Sequence, residues 1–154
     1  MASGVPLSVE RISGKPNVHL YYTDSATLAF YKGDLVRLNT DGELVIATDA
    51  DAANNAGILG IAMAPDPESL TVAVPVDVIT SDGSTFVMKS TDTTSAAYNG
   101  CYHGITLTAG AHTVAAGAGH FIQLGLVDAA GATKARIYGT FQDSALQASL
   151  GLAA

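Results

Sequence analysis

The chain is short of several things that chemistry usually needs. It has one cysteine, Cys101, in 154 residues, which excludes an internal disulfide framework and fits synthesis in the cytosol. Lys and Arg number only seven and are scattered, whereas a nucleic-acid footprint needs them clustered. No apolar run reaches the roughly 18 residues of a membrane-spanning helix. The opening "MASGVPLSVERISGKPNVHLYY" has neither the basic start nor the apolar stretch of a signal peptide, so a soluble chain is expected. Phosphates find no glycine-rich cradle, and metals find no HxH or CxxC spacing.

What is present points to a packed domain. Apolar residues make up 48% of the chain, which argues against disorder, and the length suits one domain with a real core. Charged residues are only 14%, against roughly 25% in ordinary globular domains. A small domain with so few charges is expected to cover part of its surface with copies of itself or with a partner. The net charge of −7 favours solubility.

Period-two apolar patterns dominate, and period two is the signature of strands. In "LTVAVPVDV", Leu70, Val72, Val74, Val76 and Val78 share one face. Thr71, Ala73, Pro75 and Asp77 share the other, outer one. Pro75 lacks an N–H, which predicts an edge strand or a bulge. Further strands are predicted at Leu35–Leu38, Leu44–Ala47, Gly57–Ala64, "TFVMKS" after "SDGS", Gly104–Ala109, His120–Ala129 and Thr133–Phe141. "NTDG" (Asn39–Gly42) is a turn rich in residues that tolerate positive φ. Short strands at this spacing predict an antiparallel barrel or sandwich.

Helical signals are few. "STDTTSAAYNG" predicts a short helix capped at a Thr or Ser and closed by Gly100. "TDADAANNAG" has room for one turn, and "DSALQASLGLAA" for a helix or a frayed end. "TAGAHTVAAGAG" reads as a loop or flexible edge hairpin. No convincing internal repeat stands out. The first residues are weakly patterned and read as an extended arm, with one strand near Val18–Tyr22. The domain division is therefore an arm at 1–28 and a single β-rich domain at 29–154.

Three groups invite a chemical reading. Asp49–Asn55, "DADAANN", looks at first like a calcium loop, which places oxygen ligands at alternate positions. The sixth and twelfth positions are Asn54 and Gly60, where an EF-hand needs glycine and a bidentate carboxylate, so a solvated turn is the better reading. Cys101 and His103 share a face if "YNGCYHG" is extended. A catalytic pair normally joins separate elements and needs an orienting third group, so a small buried thiol and a strand-end histidine are the simpler account. His19, His103, His112 and His120 are spread out and predict no local metal site. Most carboxylates, such as Asp41, Asp66, Glu68 and Asp82, sit in turns. Tyr21, Tyr22, Tyr31, Tyr98 and Tyr102 suit an interface or ordinary half-buried strands. No catalytic residue, cofactor or metal is expected.

The segment "FYKGDLVRLNTDGELVIATDADAANNAGILGIAMAP", followed by "LTVAVPVDVITSDGSTFVM", resembles the small decoration, or cement, proteins that coat tailed-bacteriophage capsids. The shared pattern is an aromatic–x–Gly–Asp–hydrophobic–Val strand, a turn and a Gly–Ile return strand. A Val-rich strand before a turn and Phe completes it. The likeness covers Phe30 to Met88, with support from "HFIQLGLVD" and "ARIYGTF" near the end. It implies a mainly β, small antiparallel β-barrel or β-tulip-like domain with an extended N-terminal arm and at most one or two short helices. It also implies a non-enzymatic role on the outer capsid surface of a virion, with the major capsid protein as partner. Self-association as a trimer is implied, with a dimer as the alternative. Capsid contact would fall on the arm, through Val5, Leu7, Val9, Ile12, Val18, Leu20, Tyr21 and Tyr22. The rival readings are a receptor-binding or adhesive β-module of a virion fibre, and a hydrolase using Cys101 and His103.

Overall fold

The computed structural model describes residues 9–23, 30–39, 41–47, 57–67, 71–80, 83–91, 95–107, 112–116, 119–128, 136–142 and 145–146. Over these the chain is almost wholly β, as its period-two apolar pattern requires. The strands in order are β1 (Val9–Ser13), β2 (Val18–Tyr22), β3 (Leu35–Leu38), β4 (Leu44–Ile46), β5 (Gly60–Ala62) and β6 (Ala73–Val78). They continue with β7 (Thr85–Ser90), β8 (Tyr102–Thr106), β9 (Thr113–Ala116), β10 (Phe121–Leu126) and β11 (Arg136–Phe141). A short 3-10 turn, Ala96–Tyr98, precedes β8. Ser95 caps it by accepting from the Ala97 N–H.

Two sheets result. One has the order β2-β6-β5-β3-β4, and a parallel bridge between Thr23 and Leu44 joins its outer strands. The other has the order β7-β11-β10-β8-β9 and closes through a parallel pairing of β9 with β7. Strand β1 lies antiparallel on the remaining part of the same β7 edge. Each sheet is a small five-stranded barrel.

The two barrels are one arrangement used twice. Both rings run first strand, fifth, fourth, second, third. Their registers agree pair by pair. Val36↔Gly60 in the first matches His103↔Phe121 in the second, and Leu38↔Leu44 matches Ile105↔Val114. Tyr22↔Ala73 matches Lys89↔Arg136, and the closing bridge Thr23↔Leu44 matches Ser90↔Val114. The turn into the second strand recurs as well, as Tyr31-Lys32-Gly33-Asp34 and Tyr98-Asn99-Gly100-Cys101. Gly33 and Gly100 take φ of 91° and 83°, a region that glycine enters without steric cost. Their N–H groups donate to the carbonyls of Ala62 and Gln123 at 2.8 and 2.7 Å. The repeat escapes the sequence because what is shared is hydrogen-bond register, which tolerates many side chains. Only Tyr-x-Gly survives in letters.

Packing distinguishes the two. The first barrel encloses Val36, Leu44, Val74 and Val76, and Phe30 packs into the same cluster. Its Leu35 and Ile61, on the other face of their strands, join a second cluster with Phe86, Met88, Phe121, Ile137 and Phe141 of the second barrel. One core is therefore shared between the barrels. Phe86 and Phe121 meet Phe141 edge-on at 5.1 and 5.0 Å between centroids, the geometry that ring quadrupoles favour. Burying each such ring contributes about 2–3 kcal/mol. Gly139 is required because a Cβ there would stand 2.0 Å from the Ile122 carbonyl and 2.7 Å from the Phe121 ring. The equivalent pair in the first barrel reverses the sizes, with Gly60 on the fourth strand and Val76 on the fifth.

An ion pair ties the barrels together. Arg11 on β1 donates through Nε and Nη2 to both carboxylate oxygens of Asp77 on β6, at 2.7 and 2.8 Å. The Asn17 N–H also donates to Asp77, and the guanidinium lies over the Phe86 ring at 4.8 Å. Asp77 lies on the outer face of β6, as the alternation predicts, and is buried there beneath Arg11 and the Asn17 backbone.

Other expectations need correction. The strand expected near Val18–Tyr22 is present as β2, but Val9–Ser13, expected in an extended arm, forms a strand as well, because its backbone pairs with β7 far along the chain. Pro75 does not mark an edge: β6 lies between β2 and β5. The Pro75 carbonyl accepts from the Met63 N–H, so its missing N–H faces the same way, just past the end of β5. The Gly/Ala-rich stretch contains β9, which is no edge hairpin but the strand that closes the second barrel. Val72 is exposed rather than in the inner valine row. The "NTDG" turn and the Gly100-closed helical turn stand as expected. Asp49–Asn55 lies outside the described residues, as does the C-terminal stretch 143–154 expected to be helical or frayed, apart from Ala145 in a turn and Leu146, which bridges Ile58.

Candidate partner-binding surface

Cys101 and His103 follow the positive-φ Gly100 at the entry to β8. The strand then runs His103 into the barrel while Cys101 stays exposed. The imidazole Nδ1 lies 3.2 Å from the Cys101 carbonyl oxygen, and the thiol points to the Ala97 carbonyl at 3.9 Å. The two side chains therefore meet the backbone, and their proximity in sequence yields no thiol–imidazole contact. His103 faces the Tyr98 ring edge-on at 6.1 Å. Beside it, buried Gln123 donates to the Ser95 carbonyl and to Asn99 Oδ1, both at 2.9 Å, and pins the turn over that end of the barrel.

The other histidines are dispersed. His19 is exposed and bonds Asn17 Oδ1 at 3.0 Å. His112 is buried at the start of β9, where its Nε2 accepts from the Leu35 N–H at 3.3 Å and lies 3.4 Å from Asp34. That contact is another link between the barrels. Among the described residues no three His, Cys, Asp or Glu side chains gather as a metal-holding group, and no helix is long and apolar enough to cross a membrane. One surface pair is electrostatically tuned. Arg136 donates to Asp128 through its side chain at 3.0 and 3.2 Å and its backbone at 2.8 Å. These bonds hold the Asp128 carboxyl below its ordinary range and raise the Arg136 guanidinium.

The unusual surface is β2. The Val78 N–H donates to the Asn17 carbonyl, so Asn17 faces β6. Backbone groups alternate along a strand, and those of Val18 and Leu20 therefore face away from it. Among the described residues no strand pairs with that edge before the single bridge at Thr23. Its solvent-facing side chains are Val18, Leu20 and Tyr22, at 46%, 67% and 56% exposure. The neighbouring Pro75 and exposed Met63 extend the row across the sheet. Strand edges are ordinarily protected by charge, proline or a bulge. "VHLYY" has none of these, although Lys15 and Pro16 stand just before it.

The residues expected to contact a partner divide accordingly. Val18, Leu20 and Tyr22 come together on this edge, and Ile12 is exposed near the end of β1. Val9 is fully buried in the shared core, and Tyr21 packs against the first barrel's interior. Val5 and Leu7 lie outside the described residues. The sequence contained the signal for the edge, an apolar strand without a charge, but not the side on which a partner would be missing. Comparison with protein-family models, with curated proteins and with solved structures gives no match to this chain.

Proposed function

We propose that this protein is a non-enzymatic structural component of a phage virion. It decorates the outer capsid surface and stabilises it by bridging neighbouring major capsid protein subunits. The observation that carries the reading is the distribution of exposed apolar groups. Val18, Leu20, Tyr22, Tyr31, Met63 and Val72 of the first barrel and Ile12 of β1 are exposed, as are Tyr98, Tyr102, Leu124 and Val127 of the second barrel. Val18, Leu20 and Tyr22 form a row with Pro75 and Met63 across one sheet, and an exposed apolar patch of this kind marks a surface made for contact. The resemblance of Phe30–Met88 to capsid decoration proteins names the kind of partner. Binding the assembled shell in preference to free subunits stabilises it by mass action, and many copies strengthen weak individual contacts.

The test is to add the purified protein to phage particles that lack it. Saturable binding to shells but not to free capsid subunits, with a higher disruption temperature, is expected. Failure to bind any such shell would sink the proposal. Binding to host cells or glycans instead would support the adhesive-module reading.

A further inference from the structure

The equivalence of the barrels identifies a vacant seat. On the second barrel, the β7 edge from Thr85 to Met88 is filled by β1, with Val9 opposite Met88, Glu10 opposite Val87 and Arg11 opposite Phe86. The matching positions on the first barrel are Val18 to Tyr21 of β2. There the same edge is open, and His19, which stands where Phe86 is buried, is exposed. The fold therefore accepts an antiparallel strand at this edge, and in one of its two copies no described residue fills it.

We propose that the occupant is β2 of a second copy of the chain, paired antiparallel across a two-fold axis. The requirements of the seat select it. An occupant must be extended, must present outward N–H and C=O groups, and must lay an uncharged apolar row beside Val18, Leu20 and Tyr22. Strand β2 meets all three, and like charges do not meet because "VHLYY" carries no acid, lysine or arginine. The net charge of −7, which opposes self-association, lies elsewhere. The antiparallel arrangement is the one a two-fold axis generates, with one patch serving both subunits.

Geometry sets the register. The outward groups belong to Val18, Leu20 and Tyr22, and Tyr22 already leads into the Thr23–Leu44 bridge. Val18 therefore bonds Leu20 of the partner subunit, and Leu20 bonds the partner's Val18. This makes about four hydrogen bonds and places His19 opposite the partner's His19 in a non-hydrogen-bonded pair, with Cα atoms about 4.5 Å apart. The two barrels then share a continuous sheet. A two-fold axis favours the dimer over the trimer implied by the capsid resemblance. The pairing needs only the free chain, so it stands or falls separately from capsid binding.

The experiment is sedimentation of the purified full-length protein across micromolar concentrations, with Leu20→Lys alongside. Wild type is expected to be a dimer. Leu20→Lys is expected to weaken it by more than about tenfold while leaving the melting temperature of the monomer unchanged, because Leu20 is exposed. In a Cys101→Ser background, His19→Cys should form an intermolecular disulfide on oxidation, since that Cα spacing permits one. Leu20→Cys should cross-link far less. A monomeric wild type, a trimer, or a dimer that Leu20→Lys leaves intact would overturn the proposal, as would cross-linking through Leu20→Cys but not His19→Cys.

Discussion

At the inward-facing position one pair into the second strand, the first barrel has Val36 and the second has His103. At the matching point of the fourth strand, the first has Ala62 and the second Gln123. Hydrogen-bond register is the same at both places, so the backbone does not decide the difference. The first barrel's turn sends Phe30 into an apolar interior. The second has Ala97 there, and its end is sealed by Gln123 holding Ser95 and Asn99. Outside, the pattern reverses. Tyr22 and Ala73 on the first barrel correspond to Lys89 and Arg136 on the second, where Arg136 pairs with Asp128. A shared ladder can thus hold different side chains on its inner and outer faces, since side chains on alternate faces vary independently.

Exchanging residues between matching positions is the direct way to break this comparison. The largest effect is expected for Gly139→Val, which imports Val76 into the second barrel. The new side chain collides with the Ile122 backbone and the Phe121 ring, and the cost should reach about 3 kcal/mol or more. A urea midpoint near the parent's would show that the packing of the two barrels is interchangeable. Next is Asp77→Ala, which leaves the nearly buried Arg11 without its bidentate partner and should cost about 3 kcal/mol. The double variant Arg11→Met with Asp77→Leu should recover much of that loss, because an apolar pair also fills the space between the barrels. Thermal denaturation of the three variants checks both statements.

Gln123→Ala, which gives the second barrel the Ala62 of the first, should cost about 1–2 kcal/mol. It should also speed amide exchange at Asn99, in the turn that Gln123 pins. Unchanged exchange there would mean the seal is redundant. The smallest effect belongs to Asp128→Asn. The native carboxyl is held below its ordinary value of 3.8 by Arg136, so its contribution is present above that pH and is lost as pH falls through the lowered value. Both groups are exposed, so salt screens the pair. A barely measurable loss at neutral pH, vanishing in strong acid, is expected.

Some of this was legible in advance. Strands β3 and β7 fall on the residues predicted for them, because alternation of β-branched and aromatic side chains is local information. The Asn39 turn was legible too, since Gly42 there takes a φ of 77°. Strand β2 coincides with the strand expected near Val18–Tyr22. Strand β1, Val9–Ser13, differs from the extended arm expected there, because so short and mixed a strand is defined by partners more than 70 residues along the chain. Of the apolar residues expected at a partner surface, Val18, Leu20 and Tyr22 are exposed, whereas Val9 lies in the core. Whether an apolar strand residue meets protein or water depends on which edge of its strand is covered.

By itself, then, the sequence determined the β character, several strand positions, the turns and the shortage of reactive groups. These follow from side-chain periodicity and from residue types that act within a few positions. Tertiary structure alone decided that the chain folds as two matching barrels, that Asp77 and His103 are buried, and that the β2 edge is unpaired over Val18–Tyr22 among the described residues. Each of those depends on pairing between distant segments, and a one-residue change of register would place every side chain of a strand on its other face.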